Sequence, residues 1–187
     1  MNSIYKAKLY NAINYIAKAY RKKTSMYIPQ MILYKILAWI DVESVKKIGV
    51  PVFDLNYIAM ERGPVPKELY KNRENLKEDL FLLFKGNVIN GNITYRIKAE
   101  GKADLDYFSD FELDVIDNTI DIFAEKDIST KIASESSHEI TSWRKAWKRC
   151  HNSRILLTDE FNSKKYVNIP IELKHLLDWE YSKSFNK

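Results

Sequence analysis

Two Glu-x-x-His pairs are the residues of this sequence whose spacing is most like that of metal ligands. Glu135 precedes His138 and Glu172 precedes His175, so on a helix both side chains of a pair would share one face. A di-iron carboxylate site needs two such pairs and two further glutamates on long, facing helices. The segment around Glu135 is short and rich in serine, and the first helical pattern, residues 4–21, contains no carboxylate. We therefore interpret these histidines as surface residues and predict no metal and no other cofactor.

Other arrangements of catalytic side chains are weaker still. Cys150 is the single cysteine, and its neighbour His151 would point about 100° away from it on a helix, so the two are poorly placed as nucleophile and base. We expect this thiol to be buried or half-buried. Ser134, Ser136 and Ser137 lie outside any Gly-x-Ser-x-Gly turn, and the glycines form no phosphate-binding loop. The sequence predicts a protein that is not an enzyme.

Positive and negative charges are segregated along the chain, whose formal net charge is +5. Residues 1–34 contain basic side chains and no acidic one, and a second basic group spans 144–154. Residues 104–127 form an acidic segment. Such asymmetry can steer either a nucleic acid or a charged protein partner toward the molecule.

Nucleic-acid binding is the main alternative that this charge pattern raises. The basic groups are interspersed with Tyr20, Trp143 and Trp147, and basic side chains can contact phosphates. The acidic segment would repel a phosphate backbone on the same face, however, and the four-residue spacing of the two tryptophans is typical of a core stripe. We therefore keep a DNA-binding regulator as an alternative without favouring nucleic acid as the partner.

Helical periodicity covers most of the chain. Residues 4–21 and 30–47 place apolar side chains at helical spacing, and Gly49 is placed to end the second helix. Ser109 and Glu112 form a capping box, which predicts a helix from there to about residue 126. Shorter helices are predicted over 129–137 with Ser129 as the cap, for a segment that carries Trp143 and Trp147 with Thr141 or Ser142 as the cap, and over 171–181.

Extended segments are few. Tyr57–Met60 is a predicted short strand, and Gly63–Pro66 after it a rigid proline turn that leads into a helix starting at Pro66. Asn90-Gly91 is the favoured pair for a tight hairpin, so we expect a small hairpin there or a strand that pairs with Tyr57–Met60. A further extended piece is predicted near 166–169.

Length and composition indicate a single globular domain. A chain of 187 residues lies in the usual range for one domain and buries a sufficient core without disulfides or metal. A single cysteine favours a reducing compartment, and no apolar run approaches the length of a membrane span. We therefore expect a cytoplasmic protein that does not enter a membrane.

The least generic stretch is residues 35–70, where an apolar helical pattern leads into Tyr57-Ile58-Ala59-Met60 and then Gly63-Pro64-Val65-Pro66. Together with the Asp41 and Glu43 pair, this stretch resembles the Panacea domain of SocA-like antitoxins, a family associated with phages and mobile genetic elements. A second block of resemblance covers residues 111–143, with a capped helix, an acidic turn, a serine-containing helix and a tryptophan. The resemblance implies an α+β fold that is predominantly α-helical, a single compact domain of about six or seven helices with a small antiparallel sheet or hairpin.

The domain is predicted to span 1–187, with a family-like core over about 4–150 and a C-terminal extension, 151–187, to which the resemblance assigns no role. The resemblance implies an antitoxin that neutralises a cognate protein toxin, encoded in the same operon, by direct binding. Some family members are adaptors that present a toxin to a protease, which is a further alternative. Candidate partner-binding or family-motif residues are Tyr57, Met60, Arg62, Gly63, Pro64, Val65 and Pro66, and the acidic Asp114, Asp117 and Asp121.

The Gly63-Pro64-Val65-Pro66 element has two interpretations at this point. It is either a rigid connector that aims one element at the next or a surface that contacts the partner. Exposure of Tyr57, Met60 or Arg62 would favour partner contact, because aromatic, methionine and arginine side chains are enriched at the centres of interfaces.

Overall fold

A computed structural model describes residues 3–74, 77–89, 91–125, 129–161 and 170–184, and every structural statement below concerns these residues. They form a predominantly helical α+β domain, which confirms the predicted fold class. The helices are α1 (Ser3–Thr24), α2 (Gln30–Ile48), α3 (Lys67–Lys71), α4 (Asp110–Phe123), α5 (Thr130–Ser137), α6 (Thr141–Arg149) and α7 (Ile171–Ser184). The strands are β1 (Ile28–Pro29), β2 (Tyr57–Met60), β3 (Gly63–Pro66), β4 (Lys77–Glu78), β5 (Phe81–Ile89) and β6 (Asn92–Ala99).

Helix α2 is the centre of the fold. It is apolar around most of its circumference, and such a helix is stable only when neighbours cover it on several sides. Helices α4, α5 and α7 and strand β3 all pack against it. Gly49 ends it in the left-handed conformation, with φ of 76°, and its N–H donates to the carbonyl of Val45. The predicted helix and its glycine stop are confirmed.

Two apolar clusters lie around this helix. The larger contains Ile36 and Ile40 of α2 with residues of α1, α4 and the long hairpin. The smaller contains Ala38 and Val42 of α2 with Tyr57 and Trp143. The central helix therefore joins the main core to a second core built on strand β2 and helix α6.

The predicted hairpin around Gly91 is present and longer than expected. Strands β5 and β6 pair antiparallel from Phe81↔Ala99 to the turn, with an irregularity between Lys85 and Val88. β1 adds to β6 and β4 adds to β5, giving the order β1-β6-β5-β4. The alternative pairing of this hairpin with Tyr57–Met60 was wrong, because those residues pair with β3 in a separate two-stranded sheet.

Strand β3 is a correction to the predicted proline turn. Gly63–Pro66 is extended and lies opposite β2, and Pro66 precedes α3 rather than belonging to it. A proline-containing strand is tolerated at the edge of a sheet, where the missing amide hydrogen leaves no ladder position unfilled. Local sequence suggested a turn, whereas pairing with β2 made this segment a strand.

Helix α4 has the predicted capping box. The Ser109 hydroxyl accepts from the Glu112 amide, and the Glu112 carboxylate accepts from the Ser109 amide. Ser129 caps α5 as predicted. Helix α6 differs: its N-cap residue is Ile140, and Glu160 supplies the acceptor instead, with Oε1 2.6 Å from the amide nitrogen of Ser142. A cap from a distant segment could not be predicted from local sequence.

Two further predictions concern the rest of the chain. The final helix, α7, is present. The predicted extended piece over 166–169 lies outside the described residues. Among the residues that the structure describes, no helix has the length and apolar character needed to cross a bilayer.

Candidate functional site

The β2–β3 hairpin is held on both sides by the rest of the molecule. Its register runs from Tyr57↔Pro66 to Met60↔Gly63. The free edge of β2 is occupied by a segment after α6: the Ala59 amide donates to the carbonyl of Ser153, and the Ala59 carbonyl accepts from the Asn152 amide. Strand β2 is therefore the middle of a three-segment layer, in which Tyr57 and Ala59 are buried and Ile58 and Met60 are half-buried.

A buried carboxyl group joins the hairpin to α2. Asp41 is 0% exposed, and its two oxygens accept from the Phe53 amide at 2.9 Å and from the Tyr57 hydroxyl at 2.8 Å. Burial raises the pKa of Asp41 to about 7, because desolvation disfavours the charged form more than these hydrogen bonds favour it. The carboxyl group is a structural tie and also a buried proton-binding group.

A buried amine lies under the other strand of the hairpin. Lys35 is 1% exposed, and its Nζ donates to the carbonyl of Pro64 at 3.2 Å. Burial lowers the pKa of this ammonium group to about 7. Gly63 makes room for it: a Cβ built on Gly63 would overlap Ser137 Oγ and lie 2.8 Å from Lys35 Nζ.

The tip of the hairpin is anchored through its backbone. The Ser134 hydroxyl donates to the carbonyl of Arg62 at 2.9 Å, and Trp143 Nε1 donates to the carbonyl of Met60 at 3.1 Å. Glu61 and Arg62 remain exposed at the turn. The arrangement presents two charged side chains on a fixed backbone.

The outer face of α4 is acidic and carries one exposed apolar side chain. Ile122 is 58% exposed, and it continues a row four residues apart with Asp114 and Asn118. A neighbouring row contains Asp117 and Asp121, which are also exposed.

Helix α1 contacts part of this acidic face. Asp117 accepts from the Tyr15 hydroxyl at 2.8 Å, and Asp121 forms an ion pair with Lys23 at 2.8 Å. Asp114 has no ion pair with another described residue. The face therefore keeps free negative charge at Asp114, eight residues before the exposed Ile122.

The residues flagged for catalysis or metal binding do not come together. Within the described residues, no group of three His, Cys, Asp or Glu side chains is placed to hold a metal ion. Glu135 lies 3.9 Å from Lys131, and His138 stacks on Trp143. Cys150 is exposed, so the predicted burial of its thiol was wrong; α6 ends just before it, and the chain turns there at the surface.

The comparison with protein families decides the assignment. The family described as "Antitoxin SocA-like, Panacea domain" matches residues 33–144. The chain belongs to this antitoxin-like family. No curated protein and no solved structure gives a significant match.

The matched Panacea domain, residues 33–144, contains both buried charges, the whole β2–β3 hairpin and the acidic helix α4. Sequence reasoning used Lys35 and Asp41 only as part of the resemblance and missed their place beneath the hairpin. The signal was present, because each is a charged residue in a helix that is apolar around most of its circumference. Their neighbours could not be predicted, since Pro64 is 29 residues from Lys35 and Tyr57 is 16 residues from Asp41.

The structure separates the candidate partner-binding residues of the Panacea domain by exposure. Tyr57 is 3% exposed, and Gly63, Pro64, Val65 and Pro66 are all buried. Met60 is half-buried, whereas Arg62 and the three aspartates of α4 are exposed. The buried residues are placed to hold the hairpin, and only the exposed ones can meet a partner without rearrangement.

The hairpin and the acidic helix have different neighbours in the Panacea domain. The hairpin packs against α2, α5 and α6, whereas α4 packs against α1 and α2. Helix α2 therefore supports both elements that present exposed charged side chains. One is the hairpin, with Arg62 at its tip, and the other is α4, with its aspartates.

Proposed function

We propose that this protein is the antitoxin of a toxin–antitoxin pair and that it neutralises a cognate protein toxin by binding it directly. The observation that carries the proposal is the family match over residues 33–144. The toxin would be the product of a neighbouring gene in the same operon. The mechanism is stoichiometric masking of the toxin's working surface, with no chemical step performed by this chain.

The contact surface is the outer face of α4. Its free negative charge at Asp114 and its exposed Ile122 suit a toxin surface that presents basic residues around an apolar recess. Charge complementarity of this kind accelerates encounter and selects the partner. An exposed apolar side chain on the same face supplies the desolvated contact that slows dissociation.

The helix is well placed for this role because its outer face is rigid. The capping box fixes its first turn, and Ile116 and Ile120 anchor its inner face in the main core. A partner that docks there meets a pre-ordered surface and loses little conformational entropy of the antitoxin.

The first experiment is coexpression with the neighbouring reading frame. That product alone should stop growth, this protein should restore growth, and the two should copurify as a complex. If the neighbouring product is harmless alone, or remains lethal beside this protein, the antitoxin proposal fails. Rescue without copurification, accompanied by rapid loss of the toxin, would instead favour an adaptor that delivers it to a protease.

The second experiment tests the surface with matched variants. Asp114→Lys and Ile122→Ala should each weaken toxin binding by about tenfold or more, because each removes one part of the complementary surface. Asp178→Lys and Ile171→Ala make the same chemical changes at exposed positions of α7, outside the matched domain, and should leave binding unchanged. Full binding by the α4 variants would reject this surface while leaving the antitoxin function intact.

A further inference from the structure

Four aromatic rings form a continuous stack beside helix α6. The ring centroids of His138 and Trp143 are 4.2 Å apart, those of Trp143 and Trp147 are 5.8 Å apart, and those of Trp147 and His151 are 3.7 Å apart. The planes of successive rings are within 10° of parallel. The residues are four or five apart in sequence, so one helix and its flanking turns hold all four rings.

The stack is rigid at its centre and open at one end. Trp143 is 5% exposed and is fixed by its hydrogen bond to the Met60 carbonyl. His151 lies in the turn after α6 and is exposed, with one ring face covered by Trp147. The next residue, Asn152, has a φ of 62° and donates its amide to the carbonyl of Ala59. That hydrogen bond ties the turn carrying His151 to strand β2.

Two basic residues lie within three positions of His151 in the chain and form no ion pair with the acidic groups that the structure describes. Lys148 and Arg154 are exposed, and neither side chain forms an ion pair with another described residue. The other basic residues of the group differ, since Arg149 and Lys145 both contact Asp159. His151 therefore has an exposed basic residue without an ion pair to a described residue three positions before it and another three positions after it in the chain.

We propose that His151, backed by Trp147 and flanked in the chain by Lys148 and Arg154, is a binding site for a nucleobase that carries a phosphate. A base would extend the stack on the open face of His151, and its phosphate would approach the free cations. Stacking of bases on aromatic side chains next to basic groups is how proteins hold single strands. The same chemistry fits a free nucleotide or an unpaired strand, whereas in a duplex the base faces are already covered by neighbouring bases.

This site is separate from the proposed toxin surface, which lies on α4, and the two can fail independently. The competing explanation is that the stack only supports the hairpin through Trp143. That explanation requires the inner rings but gives no role to the outer face of His151 or to the charge of Lys148. Variants at these two exposed positions therefore distinguish binding from support.

The test measures fluorescence anisotropy of three labelled decanucleotides with the purified full chain: single-stranded deoxyadenylate, the same backbone without bases, and a duplex. The single strand should bind most tightly, and its affinity should fall about sevenfold between 50 and 200 mM salt if two phosphates are contacted. Unlabelled adenosine monophosphate is the competitor. Displacement at concentrations near the strand's own dissociation constant assigns a nucleotide site, and displacement only at far higher concentrations assigns a strand site.

His151→Ala should weaken binding of the single strand by about fivefold or more and leave the weak binding of the baseless strand unchanged. Lys148→Glu should weaken binding of both strands. The matched controls, His175→Ala and Lys174→Glu, make the same changes on α7 and should have no effect. Equal affinity for the strands with and without bases, no change in His151→Ala, or no binding to any probe would overturn the proposal.

Discussion

The Tyr57 hydroxyl donates a 2.8 Å hydrogen bond to the carboxyl group of Asp41, and both side chains are buried. This contact joins strand β2 to the central helix α2. It also places a titratable group in the second apolar cluster, where a lost partner cannot be replaced by bulk water. The pairs Tyr57–Asp41 and Lys35–Pro64 together attach both strands of the hairpin to one helix.

Tyr57→Phe should destabilise the protein by about 1 to 3 kcal/mol, because it leaves one oxygen of a buried carboxyl group without its donor. Urea unfolding at pH 7 measures the change. Tyr107→Phe is the control, since Tyr107 is 39% exposed and its loss of a hydroxyl should be nearly neutral. Equal stability of Tyr57→Phe and the wild type would show that the hydrogen bond contributes nothing net.

The raised pKa of Asp41 predicts that the protein's stability falls as the pH rises from acidic to neutral. Its folded pKa of about 7 lies above its ordinary value of 3.8, so the folded state binds this proton more tightly than the unfolded chain does. The stabilisation is complete below pH 3.8 and is lost as the pH rises through 7. The free energy of unfolding of the wild type, relative to Asp41→Asn, should therefore fall by up to about 4 kcal/mol between pH 4 and 8. Asp114→Asn makes the same chemical change at an exposed site and is the matched control.

The lowered pKa of Lys35 predicts the opposite slope at alkaline pH. Its folded pKa of about 7 lies below the ordinary 10.5, so the unfolded chain binds more protons between these values. Stability from this group is complete above pH 10.5 and is lost as the pH falls through 7. Relative to Lys35→Met, the wild type should become more stable from pH 7 to 10. Lys67→Met makes the same chemical change at an exposed site and is the matched control.

Gly63→Ala should destabilise the protein by about 3 kcal/mol or more. The φ of Gly63 is 102°, and an added Cβ would overlap Ser137 Oγ beside the buried Lys35 amine. Gly91→Ala is the matched control: its φ is 76°, but nothing lies within 4 Å of the added Cβ, so only about 1 kcal/mol of backbone strain is expected. Thermal unfolding separates the two. Similar losses in both variants would mean that the crowding at Gly63 relaxes easily.

Features set by neighbouring residues were predictable. The Ser109–Glu112 capping box, the Ser129 cap and the glycine stop at Gly49 each depend on groups within five residues, and all three are present. The apolar face of α1 was also predictable, because periodicity at 3.6 residues specifies which side chains share a face. Contacts between residues distant in the chain were the ones that local patterns missed.

Three failures have this common cause. Gly63–Pro66 is a strand because β2 lies beside it, and nothing within the segment itself specifies that neighbour. Helix α6 takes its cap from Glu160 rather than from Thr141 or Ser142. The ring stack beside α6 was seen only as a pair of core tryptophans, because His138 and His151 lie outside the helix on either side of it.

The sequence by itself determined the family, the order of the helices and the apolar character of α2, since motif and periodicity are properties of contiguous residues. Only the tertiary structure decided where the two buried charged side chains of that helix lie. A helix that is apolar around most of its circumference must be covered by several elements, and its pattern alone does not say which element covers which side. The positions of Lys35 and Asp41 beneath the β2–β3 hairpin followed from that packing, and so did the exposure of Arg62 and of the aspartates on α4.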